Sequence, residues 1–294
     1  MPLRVDKRRA PHYHSVMKVV SAEAMAKAEK WAFEELGCSE AGWMQRVGEG
    51  IARMAMVLAQ RNGLDRRAVL LCGKGNNTGD ALVAGLVLQA NGWQVEAVSA
   101  FPVEGYSPLA ARHAACYQQK GIPIRILAEF PKVHDHFKGY PPSIFIDGIF
   151  GTGLNGPAQG SAASLIEAAN ASGHPLIAID VPSGINGTTG PTSGPIIRAD
   201  LTVAAVCPKT GHFAPGAWPF VGRLEVIDIH PPAEFWEKLE SRMDWFTADD
   251  AARLLPPLDP ARNKYSRGCL GVIAGSTGLY GAAALAVMGA QKAG

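Results

Sequence analysis

The sequence predicts an α/β protein with a mostly parallel central sheet covered by helices on both faces, followed by the opening of a second unit. Three observations predict it. Short apolar runs recur between residues 68 and 229 and alternate with helix-like segments, the pattern of a parallel sheet buried on both sides. Glycine and proline are plentiful (33 and 21 residues) but fall between the apolar runs, which reads as loops rather than disorder. After His230 the chain turns charged and proline-containing, and at Cys269 an apolar run followed by a glycine turn begins again.

Taken in order, SAEAMAKAEKWAFEEL (Ser21 to Leu36) reads as a helix capped by Ser21. A second helix runs from Glu40 to Arg61, with Met44, Val47, Ile51, Met54 and Leu58 at helical spacing for the core. Both are amphipathic, which suits a homodimer interface and intramolecular packing equally. AVLLC (Ala68 to Cys72) is the first buried strand; the turn GKGNNTGD (Gly73 to Asp80) follows, then a helix from Asp80 that stops at Gly92. WQVEAVSA is a strand, and SPLAARHAACYQQKG is a helix capped by Ser107 and stopped by Gly121. PIRIL, SIFID and PLIAID are further strands, the last two separated by the helix SAASLIEAANASG, and LTVAAV and LEVIDI finish the series. Residues 232–266 read as a linker with one or two short helices. CLGVIAGSTG then predicts a strand and turn, and LYGAAALAVMGAQKAG a helix, too little to bury a core alone.

A net charge of +2 leaves no nucleic-acid footprint, and the basic residues Arg4, Lys7, Arg8 and Arg9 read as a solvated tail. No stretch has the length and purity of a membrane span, and the first residues lack the apolar core of a signal peptide. Helical patterning begins just after Met17, which makes that residue a candidate start. Five scattered cysteines without a CxxC pair (Cys38, Cys72, Cys116, Cys207, Cys269) point to a reduced, cytoplasmic setting.

Ligands of open parallel sheets bind beyond the carboxyl ends of the strands. Three such ends carry polar, glycine-rich loops: GKGNNTGD, DGIFGTGLNGP (Asp147 to Pro157) and DVPSGING (Asp180 to Gly187). The glycine spacing of the first is a weak dinucleotide signal. A nicotinamide dehydrogenase also wants an acid at the end of the next strand, and here the first acid, Glu104, lies beyond it. The loops supply an amide oxygen from Asn77, a carboxylate from Asp147 and a hydroxyl from Ser183, which with backbone carbonyls suit a hard, monovalent cation. Such a cation would offset Asp80 and Asp147 beside a phosphate-bearing ligand, whose anion would meet backbone N–H groups and helix N-termini. Taken singly, Asp147 and Asp180 also read as Asx-turn formers.

GKGNNTGDALVA, DGIFGTGLNGP, AIDVPSGINGTTG and PKTGH (Pro208 to His212) together resemble the YjeF N-terminal domain, the NAD(P)H-hydrate epimerase family, over about Val19 to Pro231. The tail from Asn263 is similar to the start of an ADP/ATP-dependent NAD(P)H-hydrate dehydratase. The resemblance implies a Rossmann-like three-layer sandwich at 17–231, a linker at 232–266 and an incomplete ribokinase-like unit at 267–294. It implies interconversion of the R and S hydrates of the small-molecule substrate NAD(P)HX, with no nucleic-acid or membrane partner, and no dehydratase activity from this chain. It places the substrate on Asn76, Asn77, Thr78, Gly79, Asp80, Gly151, Thr152, Gly153, Leu154, Asn155, Gly156, Pro157 and Asp180, and potassium on Asn77, Asp147 and Ser183. Asp180 is the expected catalytic carboxylate. Lys209 reads either as a surface lysine or as a contact to phosphate or substrate. His212 and the run His134, Asp135, His136 read as surface residues. The family turn is usually NNGGDG, so Thr78 and Ala81 depart from it, Thr78 by added bulk. The alternative to an epimerase is a non-catalytic ligand-binding or scaffolding module of the same fold.

Overall fold

Strands that are apolar without alternation must be covered on both faces, and the computed structural model shows how. It describes residues 17–127, 137–255, 261 and 269–293. The basic N-terminal stretch and the run His134 to His136 lie outside the described residues. The chain divides into two compact units, 1–245 and 246–294.

The first unit begins with β1 (Met17–Val19), α1 (Ala22–Glu35) and α2 (Glu40–Asn62). Ser21 and Ser39 cap these helices by accepting the N–H groups of Ala24 and Gly42, and Gly63 closes α2 at φ 61°. There follow β2 (Arg67–Cys72), α3 (Asn76–Ala90), β3 (Gln94–Ser99), α4 (Pro108–Gln119) and β4 (Ile124–Ile126). The chain then supplies β5 (Ile144–Gly148), α5 (Gly160–Ala171), β6 (Leu176–Ile179), the short pair β7 (Ile185–Asn186) and β8 (Gly190–Pro191), and β9 (Leu201–Ala205). It ends with α6 (Trp218–Val221), β10 (Arg223–Ile227), α7 (Ala233–Lys238) and β11 (Met243–Trp245).

Seven strands form one parallel sheet in the order β10-β9-β6-β5-β2-β3-β4. The chain runs outward from β2 through β3 to β4, then restarts at β5 on the other side and runs outward to β10. The adjacent carboxyl ends of β2 and β5 are therefore the switch point where such sheets leave a crevice. Alternate residues of β2 divide between two cores. Ala68, Leu70 and Cys72 join α1 to α4 on one face; Val69 and Leu71 join α5, Phe137 and Phe145 on the other. The N-terminal helices thus pack onto the sheet of their own chain.

Three elements differ from the sequence expectation. The helix after β2 starts at Asn76, inside the expected turn, because Gly75 already serves as its N-cap. β1 pairs antiparallel with β11, and Lys18 Nζ donates to the carbonyls of Trp236 and Leu239 at the end of α7. Residues 233–245 therefore pack within the first unit. In the second unit, α8 (Ala248–Leu254) is capped by Thr247 and Asp250, and α9 is Gly281–Ala293. The expected strand at Cys269 is absent from the described residues: Leu270 and Ile273 are exposed and no neighbouring strand offers them a ladder.

Candidate functional site

The loops after β2, β5 and β6 meet α1 and α2 around a cavity of about 480 Å³. Met25, Phe33, Trp43, Met44 and Val47 make an apolar helix wall. The opposite wall is polar backbone and side chain from the strand ends: Gly75, Asn76, Asn77 and Asp80, then Ile149 to Asn155, then Ile179 and Asp180. Of the substrate set expected from the sequence, Asn76, Asn77, Asp80, Gly151, Thr152, Gly153, Leu154, Asn155 and Asp180 line this cavity. Thr78, Gly79, Gly156 and Pro157 stand outside its lining.

Thr78 is fully buried and ties the loops together. Its Oγ1 accepts the N–H of Gly73 at 2.8 Å and donates to the carbonyl of Gly148 at 2.9 Å. Its φ is negative, since it lies in helical α3, so its branched side chain meets no left-handed backbone strain. At the mouth, Asn76 donates to Glu40 Oε1 and accepts from Ser107 Oγ, each at 2.8 Å.

Asp147 and Ser183 meet directly behind the cavity lining, and Asn77, at the lining, joins them through the backbone of Phe150. Asn77 Nδ2 donates to the carbonyls of Phe150 and Ile179, both at 2.8 Å, leaving its Oδ1 without a donor among the described residues. Gly151 lies against that amide so closely that a Cβ there would come within 2.9 Å of Oδ1. Ser183 Oγ donates to Asp147 Oδ1 at 2.6 Å and accepts from Phe150 N–H at 2.9 Å. The Asp147 carboxylate also accepts the N–H groups of Ile149 and Ser183. It is fully buried, and among the described residues no cationic side chain pairs with it. Burial pushes its carboxyl up to about 6 against three stabilising hydrogen bonds. An all-oxygen set around a carboxylate short of positive charge fits a monovalent cation.

Asp180 closes β6 with φ +63°, a strained conformation for a non-glycine residue. Its Oδ1 accepts Lys209 Nζ at 2.5 Å and the N–H of Ala205 at 3.3 Å. Lys209 is buried rather than on the surface, and its Nζ also donates to the carbonyl of Ala205. His212, expected on the surface, is buried as well. Its Nδ1 accepts the N–H of Lys209, so Nε2 carries the proton and donates to the carbonyl of Asp180 at 2.8 Å. Burial lowers this imidazole to about 4, which keeps it neutral near pH 7. β1 braces the same loop: Val20 N–H donates to the Pro208 carbonyl, and Thr210 N–H to the Val20 carbonyl.

The motifs missed two acids of the lining, Glu29 and Glu40. Glu29 of α1 lines the cavity, and burial, with the charges of Asp180 and Glu40 adding and Lys209 opposing, raises it to about 7. Its signal in the sequence was an acid inside the apolar stripe of Met25, Ala28, Ala32 and Phe33. Asp80 is pushed well above its ordinary value by burial and by the Asp180 and Glu29 carboxylates, which favours its neutral form.

A family model described as the YjeF-related protein N-terminus matches residues 40–211. Over 193 residues the chain is 36% identical to the NAD(P)H-hydrate epimerase of Rhodopirellula baltica, a match covering 65% of this chain and 75% of that protein. It is 32% identical over 284 residues to the bifunctional NAD(P)H-hydrate repair enzyme Nnr of Thermofilum pendens, covering 95% of this chain and 52% of the relative. The Nnr of Salinibacter ruber is 30% identical over 288 residues, with coverages of 94% and 53%. The chain thus spans about half the length of these bifunctional relatives. The crystal structure of the yeast protein ynu0 shares the fold, with a TM-score of 0.63 at 18% identity over 80% of this chain and 98% of that one.

Proposed function

The chain belongs to the YjeF-related N-terminal family, by the match over residues 40–211 and by its identity to an epimerase of which it covers 75%, and from that membership we propose that it interconverts the R and S hydrates of NADH and NADPH. The observation that carries the reading is Asp180, strained at φ +63° on the cavity floor and gripped by Lys209 and His212. Strain of this kind persists only where the surroundings over-determine it, and here they aim one carboxylate into a cavity of substrate size.

The hydrated nicotinamide ring suits the apolar wall of Phe33, Trp43 and Met44, with Asp180 at its polar edge. Asp180 is the proposed catalytic carboxylate, and Lys209 holds its Oδ1. The diphosphate would meet the unfilled N–H groups at the start of α3, which has no side-chain cap. We assign potassium to Asn77, Asp147 and Ser183; bound there, it would supply the positive charge that Asp147 lacks. Asp147 and Ser183 sit behind the lining, Asn77 at its edge, and together they position the loops that touch substrate.

We assign 17–231 to the epimerase domain and 267–294 to the opening of a dehydratase-like unit, joined by 232–266, of which 233–245 pack onto the first unit, supported by relatives whose matches run on into the tail. The exposed Leu285 and Met288 of α9 fit a helix that packs against further structure. A reduced cytoplasmic setting agrees with five free cysteines. Among the described residues no helix is long and apolar enough to cross a membrane.

The test is an epimer assay. A separate dehydratase removes the S-hydrate, and the added chain should speed consumption of the R-hydrate in the presence of potassium. Asp180→Ala should abolish the acceleration. Consumption at the spontaneous rate with the wild-type chain would leave only the binding-module reading.

A further inference from the structure

Two carboxyls of the cavity come from the N-terminal helices rather than from the strand-end loops, Glu29 and Glu40, and Glu40 is engaged by Asn76. α1 presents Met25, Glu29 and Phe33 to the cavity at four-residue intervals, so the acid stands on the helix wall with apolar neighbours above and below. It makes no hydrogen bond or ion pair among the described residues, although it is partly withdrawn from water. A half-buried carboxyl without a partner is costly, and the fold has no packing need for one in an apolar stripe. The groups that face it are Asp180 and Lys209 from the strand ends, Glu40 from α2, and Asp80 from α3.

We propose that Glu29 is a second catalytic acid–base residue, acting from the helix wall on the same ring carbon that Asp180 addresses from the strand ends. The inference rests on the epimerase reading. The hydrate's C6 carries a hydroxyl and is bonded to the ring nitrogen. Glu29 gives its proton to that hydroxyl, the C6–O bond breaks, and the nitrogen lone pair closes a C=N bond as water leaves. Water then adds to the opposite face of C6, the C=N electrons return to nitrogen, and the surplus proton passes to Asp180. Oδ2 of Asp180 is available for it, since both protein contacts fall on Oδ1. The reverse epimerisation runs with the two carboxyls exchanging roles, and the protons re-equilibrate through solvent between turnovers. One group per face is what inversion at a single carbon requires.

The proton on Glu29 is available near neutral pH because burial holds its carboxyl near 7. The experiment measures kcat and KM for R-hydrate consumption by the full chain, with excess dehydratase as trap, between about pH 5 and 9. The wild-type kcat should fall as pH rises through about 7. Glu29→Gln should lower kcat by roughly 10²- to 10³-fold, leave KM within a few-fold and erase that limb. Glu29→Asp should recover part of the rate with the limb displaced. A Glu29→Gln protein with the wild-type kcat and pH limb would overturn the inference while the epimerase reading stands. If Glu29→Gln does not fold, Glu29→Asp decides: a displaced limb supports the inference and an unmoved one sinks it. A wild-type chain at the spontaneous rate overturns the epimerase reading, and this inference with it.

Discussion

Replacing Lys209 by methionine keeps the length of the side chain and removes its charge from beneath Asp180. The lysine side chain is 2% exposed and that of Asp180 is 14% exposed, so this ion pair is shielded from bulk water. Breaking such a pair by deleting one partner typically costs 3–5 kcal/mol, because the other charge stays behind unpaired. Here Asp180 keeps the N–H of Ala205 and borders the cavity, which puts the expected cost near the lower end, about 3 kcal/mol. Asp180→Asn alone strands the ammonium and should cost a similar amount. The double variant Lys209→Met with Asp180→Asn strands neither charge, so its loss should fall short of the two single losses added together, with a coupling of roughly 2 kcal/mol. Urea unfolding of all four proteins at neutral pH gives the cycle. With a slope near 3 kcal/mol per molar, the single variants should unfold about 1 M earlier than the wild type. Additive losses, or a Lys209→Met loss below about 1 kcal/mol, would refute the claim that the pair is held as a shielded unit.

Thr78→Val should destabilise the chain by about 1–3 kcal/mol, since the Gly73 N–H loses its acceptor in the core, and Thr78→Ser should restore most of it; equal stability of all three in denaturant would remove the clip from the account. The wild-type unfolding midpoint should rise with potassium chloride and not with equal choline chloride, by up to about 2.7 kcal/mol at a hundredfold excess over Kd, and Asp147→Asn should erase the difference. Glu29 has a folded-state pKa raised from 4.5 to about 7. Its contribution to stability is therefore complete below about 4.5 and lost as pH rises through about 7, a loss of about 3 kcal/mol. Glu29→Gln escapes that loss, so unfolding titrations should find it more stable than the wild type at pH 8 and little different at pH 4. A constant gap at both values would contradict the assignment.

The sheet was legible because its strands are buried on both sides. AVLLC, SIFI and PLIAI carry no polar alternation, and only a covered parallel sheet accommodates three such runs in sequence. The serine caps of α1 and α4 were legible because an N-cap joins one hydroxyl to one nearby amide. β1 and β11 were not. Each is three residues long, and their pairing spans more than two hundred residues of chain, so nothing local encodes it. The CLGVIA run misled for the converse reason. Its composition is that of a strand, but a strand is a relation to a neighbour, and among the described residues none is there.

The site divides along the same line. The three loops could be read because each is a short sequence at a strand end, and parallel topology brings strand ends together whatever the rest of the fold does. Glu29 lines the cavity, and Lys209 and His212 hold Asp180, from other places in the chain, and burial, which sequence does not display residue by residue, decides their chemistry. The acid in GKGNNTGD makes the difference concrete. On charge alone, Asp80 beside a phosphate-binding turn demands a compensating cation. The helix, however, begins at Asn76, so Asp80 stands more than a turn below its N-terminus, against the core and within reach of two other carboxyls. Burial and like charge together favour its neutral form, and a neutral acid does not repel a phosphate. The cation argument then belongs to Asp147 alone. Three hydrogen bonds restrain that carboxyl while burial raises it to about 6, so it is still mostly ionised at neutral pH and still without a positive partner among the described residues. Two aspartates that look alike in the sequence thus face different surroundings: burial and like charge push Asp80 toward its neutral form, while Asp147, held by three hydrogen bonds, needs a counter-ion.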